Sequence, residues 1–338
     1  MYEKLMQNLG FPGSNRLRKI LEYLMDDEEV LVAENLPGSV TEVSERTRIP
    51  EERVKEILER LFRKGVVFPK DFEKRDYYRL ARDIIQLHDA TLATHEMEDE
   101  EYAKLWKEFG DLECHQRVGQ ILGISGMKVW RVVPAYNAIK NLDVLPYENI
   151  REMIRQQEKI AVVPCSCRNV TRMAGEGCKY TDEGKKWHCI QLGRGAEYVI
   201  ARGSGKEIDV DTALELIDEI ERDGLVHTWS NTSKIVDRRV TVNCNCCSDC
   251  CEFFLSAKHA NIPIESLLEK SRFVAEVDFD ECIACGTCVD RCQFSAIELN
   301  DHAEIIEEKC FGCGVCVLGC DQEAIKLKIV RPPEHIPM

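Results

Sequence analysis

No run of about 18 apolar residues occurs in the 338-residue chain, so no membrane-spanning helix is expected. The N-terminus, Met1-Tyr-Glu-Lys-Leu-Met-Gln-Asn, lacks the positive start and apolar core of a secretory signal. Basic charge is also short: 45 Lys and Arg stand against 60 Asp and Glu, a net charge of −15. Proteins that hold nucleic acid by neutralising phosphates show the opposite balance. Nucleotide-binding glycine loops are missing. Gly193-Arg-Gly195 lacks the third glycine of a dinucleotide fingerprint, and Gly203-Ser-Gly-Lys206 is followed by Glu207 where a P-loop needs Ser or Thr. No Ser/His/Asp triad or carboxylate pair stands out. What remains, 44% hydrophobic and 31% charged, is the composition of a soluble globular protein with length for two or three domains.

Cysteine, by contrast, is abundant, with 18 residues. They cluster at metal-ligand spacing, which predicts metal chemistry in a reducing cytoplasm rather than disulfides. Two runs near the C-terminus share one spacing: Cys282-x2-Cys285-x2-Cys288-x3-Cys292 and Cys310-x2-Cys313-x2-Cys316-x3-Cys320. In the bacterial iron–sulfur spacing the fourth Cys of each run ligates the other cluster. The expected ligand sets are therefore Cys282, Cys285, Cys288 and Cys320 for one cube, and Cys310, Cys313, Cys316 and Cys292 for a second. Zinc is the competing reading, but zinc sites favour paired C-x2-C knuckles with four ligands, and two four-Cys runs suit cubes better.

The flanks repeat with the cysteines. FVAEVDFDECIACGTCVDRCQFSAIEL from Phe273 and AEIIEEKCFGCGVCVLGCDQEAIKL from Ala303 each read as strand, Cys loop, short helix and return strand (Ala296–Leu299 and Ala324–Leu327). Residues 273–328 thus resemble the bacterial-type ferredoxin with two [4Fe–4S] clusters, which implies a ferredoxin-type βαβ repeat that passes single electrons. One departure stands out: where that family usually has Pro after the fourth Cys, this chain has Gln293 and Asp321.

The N-terminal region reads as helices. Ser14 is a candidate N-cap for a helix with Leu17, Ile20, Leu21, Leu24 and Met25 on one face. A second helix is expected over Val40–Arg48, and a third from Pro50 or Glu51 to Lys64, with Val54, Ile57, Leu58 and Leu61 inward. Gly65 ends it before the β-like Val66–Pro69. The order resembles a winged helix-turn-helix domain. DNA binding is disfavoured, because the first turn of the third helix carries Glu51 and Glu52 where base-contacting residues project. Residues 71–144 form a helix-rich connector. There Tyr77, Leu80, Ala81, Ile84, Ile85 and His88 suggest one helical face, and Gly110 a helix stop after Phe109. His88, His95, Cys114 and His115 show no spacing that joins them into a metal site.

Nine further cysteines lie between 165 and 251. The apolar Ile160–Val163 predicts a buried strand leading into Pro164-Cys165-Ser-Cys167-Arg168, with Cys178 and Cys189 beyond. Thr212 and Glu215 suggest a capping box and Gly224 a helix stop. A strand over Arg239–Asn243 would deliver Cys244, Cys246, Cys247, Cys250 and Cys251. If the two strands are sheet neighbours, both groups meet at one pole. Soft thiolates suit an iron–sulfur cluster or zinc, with free or redox-active thiols as the remaining reading, so a third metal site is expected, with candidates Cys165, Cys167, Cys178, Cys189, Cys244, Cys247 and Cys250. Arg168, Lys179, Lys185, Lys186 and Arg194 surround it with positive charge, and His188 and His227 are candidate ligands or proton donors. The sequence Pro-Cys-x-Cys-Arg, Gly-Leu-Val-His and Cys-Asn-Cys-Cys-x-x-Cys-Cys ahead of a ferredoxin-like tail resembles iron–sulfur proteins of anaerobes, a likeness that supplies no reaction.

The expected architecture is α+β and multidomain: a winged-helix-like region (1–70), the helical connector (71–144), a Cys-rich α/β region (145–272) and a ferredoxin region (273–338). The function expected is electron relay to a redox partner protein or larger oxidoreductase complex. Residues 276–338 hold 13 acidic and 5 basic side chains, a balance that either steers docking onto a basic partner or serves only to keep the region soluble. Two rivals are an oxidoreductase whose middle cluster is catalytic and a redox-sensing DNA regulator.

Overall fold

The computed structural model describes residues 2–93, 99–126, 128, 130–179, 187–231 and 241–336. It mixes helices and strands, in two compact units whose segments interleave along the chain. The first comprises Met1–Glu113, Val163–Trp187 and Ala196–Lys206; the second comprises Cys114–Val162, His188–Gly195 and Glu207–Met338. Among the described residues no helix is long and apolar enough to cross a membrane. His95, Lys185, Lys186 and the first part of the strand expected over 239–243 lie outside the described residues.

In the first unit, Ser14 Oγ accepts the Leu17 N–H at 3.1 Å and starts the helix Asn15–Leu24. Asp26 and Glu29 form a reciprocal capping box opening Asp27–Glu34, a helix the hydrophobic pattern did not announce. Ser39 and Glu42 cap Val40–Thr47 in the same way. Glu51–Lys64 buries Val54, Ile57, Leu58, Leu61 and Phe62, and Gly65 closes it at φ +87°, a left-handed conformation that glycine adopts without strain. Three short strands complete this part: β1 (Gly38–Ser39), which precedes the helix Val40–Thr47, and β2 (Val67–Pro69) and β3 (Tyr77–Leu80), which follow Glu51–Lys64; they are ordered β1-β3-β2 and antiparallel. Tyr77 and Leu80, expected on a helix face, therefore lie in β3, where their backbone pairs with β1 and β2. The helix begins only at Ile84, capped by Asp83. Gly110 does not stop its helix either. Its backbone stays helical, and a π-type turn, Gly110–Cys114, follows.

The second unit is built on a seven-stranded sheet. Its strands are β4 (Trp130–Val132), β5 (Ile160–Val163), β6 (Cys189–Leu192), β7 (Lys206–Ile208), β8 (Val226–Ser230), β9 (Val242–Cys246) and β10 (Leu268–Glu269). They run in the order β10-β4-β8-β9-β6-β5-β7. The two strands that lead to the middle cysteines, β5 and β9, share the sheet but are not neighbours, since β6 lies between them. Cys244 and Cys246 stand within β9 rather than after it. The helix Val210–Arg222 is capped three residues before the expected Thr212, because Asp209 accepts the Thr212 N–H at 2.8 Å and so supplies the cap.

The C-terminal segment belongs to this second unit. Its strands β11 (Phe273–Val277), β12 (Ile297–Leu299), β13 (Ala303–Ile305) and β14 (Ile325–Ile329) form two antiparallel pairs, β11 with β14 and β12 with β13. Each half of the repeat pairs with the other half instead of closing a parallel βαβ unit on itself. At the entry to β11, Arg272 forks onto Glu148 with Nε–Oε1 at 2.8 Å and Nη2–Oε2 at 3.0 Å, both side chains buried. Removing one partner of such a pair strands a buried charge. Glu148→Ala is expected to destabilise the protein by about 3–5 kcal/mol in denaturant unfolding, and Glu148→Leu with Arg272→Met to recover most of that loss.

Candidate metal centres and their surroundings

The C-terminal cysteines line two cavities of similar size. One is walled by Cys282, Cys285, Cys288 and Cys320, with Ile283, Leu299 and Ile325 around them. The other is walled by Cys292, Cys310, Cys313 and Cys316, with Phe294, Phe311 and Val315. Each cavity takes three sulfurs from one run and one from the other. The crossing follows from the strand pairing: β11 on β14 and β12 on β13 carry the end of each half against the other half.

Local geometry serves the sulfurs. The Ala296 N–H donates to Cys292 Sγ at 3.3 Å, and the Ala303 N–H to Cys282 Sγ at 3.4 Å. Gly312 lies between Cys310 and Cys313 at φ +64°, and a Cβ there would sit 2.1 Å from the Phe273 carbonyl oxygen, so only glycine lets the loop lie against β11. The two cavities differ in exposure. Cys285 is exposed, and its thiol is lowered by the Thr287 backbone N–H and hydroxyl. Burial pushes the thiols of Cys288 and Cys292 up, and those of Cys313 and Cys316 far up. Four thiols converging on an apolar cavity, with backbone N–H groups aimed at sulfur, fit a cluster held by thiolates and tuned by hydrogen bonds to sulfur. When bound, such a cluster supplies one-electron redox chemistry.

The residue that departs from the ferredoxin pattern has a partner. Gln293 is buried, and its Oε1 accepts from the Ser248 N–H at 2.9 Å and the Ser248 hydroxyl at 3.0 Å. Its Nε2 donates to the Gly224 carbonyl at 3.1 Å. Proline could make none of these bonds. Arg291, two residues earlier, donates from Nε to the Val315 carbonyl at 3.0 Å and from Nη1 and Nη2 to the carbonyls of Arg222 and Glu221, both at 2.9 Å. It thereby caps the C-terminus of Val210–Arg222, where a cation is favoured. The missing Pro marks Gln293 in the sequence, though not its partners, and no sequence signal marks Arg291.

The middle cysteines fall in both units. In the first, Cys165 precedes the helix Ser166–Met173 as its N-cap, Cys167 lies in the first turn and Cys178 is buried beyond it. The Cys165 thiol is pulled down to about 6, first by a hydrogen bond from Cys167 and then by the charge of Arg168. Arg168 is itself buried, so it is not part of a solvated basic face, whereas Lys179 and Arg194 are exposed. In the second unit, β6 pairs with β9 at Ile190–Asn243, which puts Cys189 opposite Cys244 one step along. The turn after β9 brings the ligand atoms of Cys247, Asp249 and Cys250 within 4.8 Å of one another.

Both candidate histidines are buried. His188 Nε2 lies 3.3 Å from Glu219 Oε1 and 4.0 Å from Asp223 Oδ2. His227 Nδ1 is 2.6 Å from Asn245 Oδ1, and its Nε2 is 3.5 Å from Glu221 Oε1. Burial pushes the Glu221 carboxyl up, but His227 and the Tyr136 N–H outweigh it and hold it low. In the connector, His88 Nδ1 is paired with Asp89 at 3.0 Å and His115 Nε2 with Glu252 at 3.2 Å, while Cys114 is buried.

Residues 275–298 match the family model for the 4Fe-4S binding domain. A ferredoxin from Entamoeba histolytica is 52% identical over 29 residues, which is 9% of this chain and 49% of that ferredoxin. The C-terminal region is of the ferredoxin type. Its cysteines support at least one [4Fe–4S] cluster, and the chain is an iron–sulfur protein. It spans about half the length of the curated relative it matches. No solved structure matches it. Gln293→Pro in the ferredoxin-type region removes three hydrogen bonds at about 1 kcal/mol each. Chemical denaturation is expected to show a loss of about 2–4 kcal/mol, and unchanged stability would show that the Gln293 bridge carries no weight.

Proposed function

We propose that the protein relays single electrons through two C-terminal [4Fe–4S] clusters and a third metal centre in the middle region, delivering them to a redox partner protein. The observation that carries this is the pair of cavities, each walled by four cysteines drawn three from one run and one from the other. The ligand sets are Cys282, Cys285, Cys288 and Cys320 for the outer cluster, and Cys310, Cys313, Cys316 and Cys292 for the inner one.

Exposure gives the relay a direction. Around the outer set Cys285 is exposed, and the apolar side chains of Phe279 and Ile283 are 56% and 64% exposed. Exposed apolar groups ringed by acidic residues suit transient docking of a basic partner. The inner set lies among buried Phe311, Val315 and Ala275 and faces the sheet. The third centre takes Cys247 and Cys250 as two of its ligands, a C-x2-C knuckle on the turn that Gln293 holds through Ser248. The N-terminal helices, with β1 between them and β2 and β3 after them in one three-stranded sheet, support a winged-helix-like module, and the exposed Glu51 and Glu52 at the start of its last helix favour protein contact over DNA.

Iron and acid-labile sulfide analysis of anaerobically purified protein tests the assignment. About 12 irons per chain are expected, at four per cube, falling to about 8 in the Cys247→Ser, Cys250→Ser double variant. About 8 irons in the unsubstituted chain would remove the third cluster, and about 4 would remove the two-cube assignment as well.

A further inference from the structure

Cys246 and Cys251 stand apart from the proposed ligand sets. Cys246 is the last residue of β9, and Cys251 is the N-cap of the helix Glu252–Ala260. The turn between them, closed by the Cys251 N–H on the Cys247 carbonyl at 3.3 Å, folds the chain back on itself. It brings the Cys251 thiol into a hydrogen bond to Cys246 Sγ at 3.3 Å. Both sulfurs are buried in an apolar cluster with Val132, Val226, Phe254 and Leu268. Buried thiols in contact and fixed by a short turn form a disulfide with only small movement of their side chains.

The same apolar cluster contains Phe311 and Val315 and packs against Cys313. Those three residues also wall the inner cluster cavity. The thiol pair and the inner site therefore share a wall of apolar side chains. A dithiol exchanges two electrons and a [4Fe–4S] cluster one, so two cubes match one dithiol.

We propose that Cys246 and Cys251 form a redox-active dithiol/disulfide couple that exchanges electrons with the ferredoxin-type clusters, a role that rests on the two-cube reading above. On oxidation the two S–H bonds break and one S–S bond forms. Two electrons leave, one to each oxidised cube, and two protons leave to water. The Thr228 hydroxyl, 3.6 Å from Cys246 Sγ, is the first group on the proton path. Reduction runs the same steps backwards: two electrons arrive singly by way of the cubes, two protons are taken up, and the S–S bond opens. The couple lets a one-electron carrier store a pair, and it suits a partner or substrate that exchanges two electrons at once.

The test uses the full-length protein with its clusters. Samples held reduced with dithionite, or oxidised with ferricyanide, are acid-quenched, alkylated with N-ethylmaleimide, digested and sequenced by mass spectrometry. Both Cys246 and Cys251 are expected to carry the alkyl group in the reduced sample and to be joined to each other in the oxidised one, with iron content unchanged. Cys246→Ser and Cys251→Ser are each expected to keep full iron and to give up two fewer electrons per chain in an oxidative titration. Alkylation of both residues in both states of an iron-replete protein overturns the couple and leaves the two-cube reading standing. Loss of about four irons in either variant also overturns it, by making the pair cluster ligands. An unsubstituted chain that binds no iron sinks the two-cube reading itself and the couple with it.

Discussion

Sulfur crowded into apolar cavities is the constraint from which the rest of the second unit follows. A thiol is neutral in such a place because a thiolate without a counter-charge is costly there. Burial accordingly pushes Cys313 and Cys316 far above the ordinary thiol range. Iron reverses that balance, since metal ligation requires the thiolate and makes binding energy part of folding energy. Under the proposed ligation, the glycine at 312, the N–H groups aimed at Cys282 and Cys292 and the crossed strand pairs all hold thiolates around a charge that stabilises them.

A second consequence is that the ferredoxin-type region is built into a larger body. Arg291 ties the first run to the second through Val315 and to the sheet-packed helix through Glu221 and Arg222. Gln293 ties it to the cysteine turn through Ser248. Phe294 stacks on Phe311 at 4.1 Å and lies against Phe254 at 5.3 Å, so the aromatic contacts cross the same seam. Under the proposed function, fixed geometry of this kind would hold the redox groups at constant separations, which a relay needs and a flexibly tethered ferredoxin would not provide.

Much of this was legible in the sequence wherever the signal is local. Ser14, the apolar face of Glu51–Lys64 and the Gly65 stop are cap and periodicity signals, and they appear where the pattern put them. The cysteine runs are legible for the same reason, because ligand spacing is set by a short loop. Signals that depend on pairing partners failed. Tyr77–Leu80 read as a helix face, yet the segment is the middle strand of a sheet whose other strands lie elsewhere in the chain. Thr212 and Glu215 imitated a capping box, while Asp209 supplies the actual N-cap. The contact of Cys246 with Cys251 and the bonds of Gln293 could not be read from spacing, since each needs the turn after β9 to be placed in space. For Gln293 the sequence offered a hint in the missing proline.

The claim that two clusters sit together in one fold is tested most directly by electron paramagnetic resonance of the dithionite-reduced protein. Two reduced cubes that share their ligand loops should interact magnetically, giving a broadened, split signal that simplifies to that of a lone cluster when Cys282 and Cys285 are both replaced by Ser. A simple sum of non-interacting signals, or a signal unaltered by that replacement, would contradict the account.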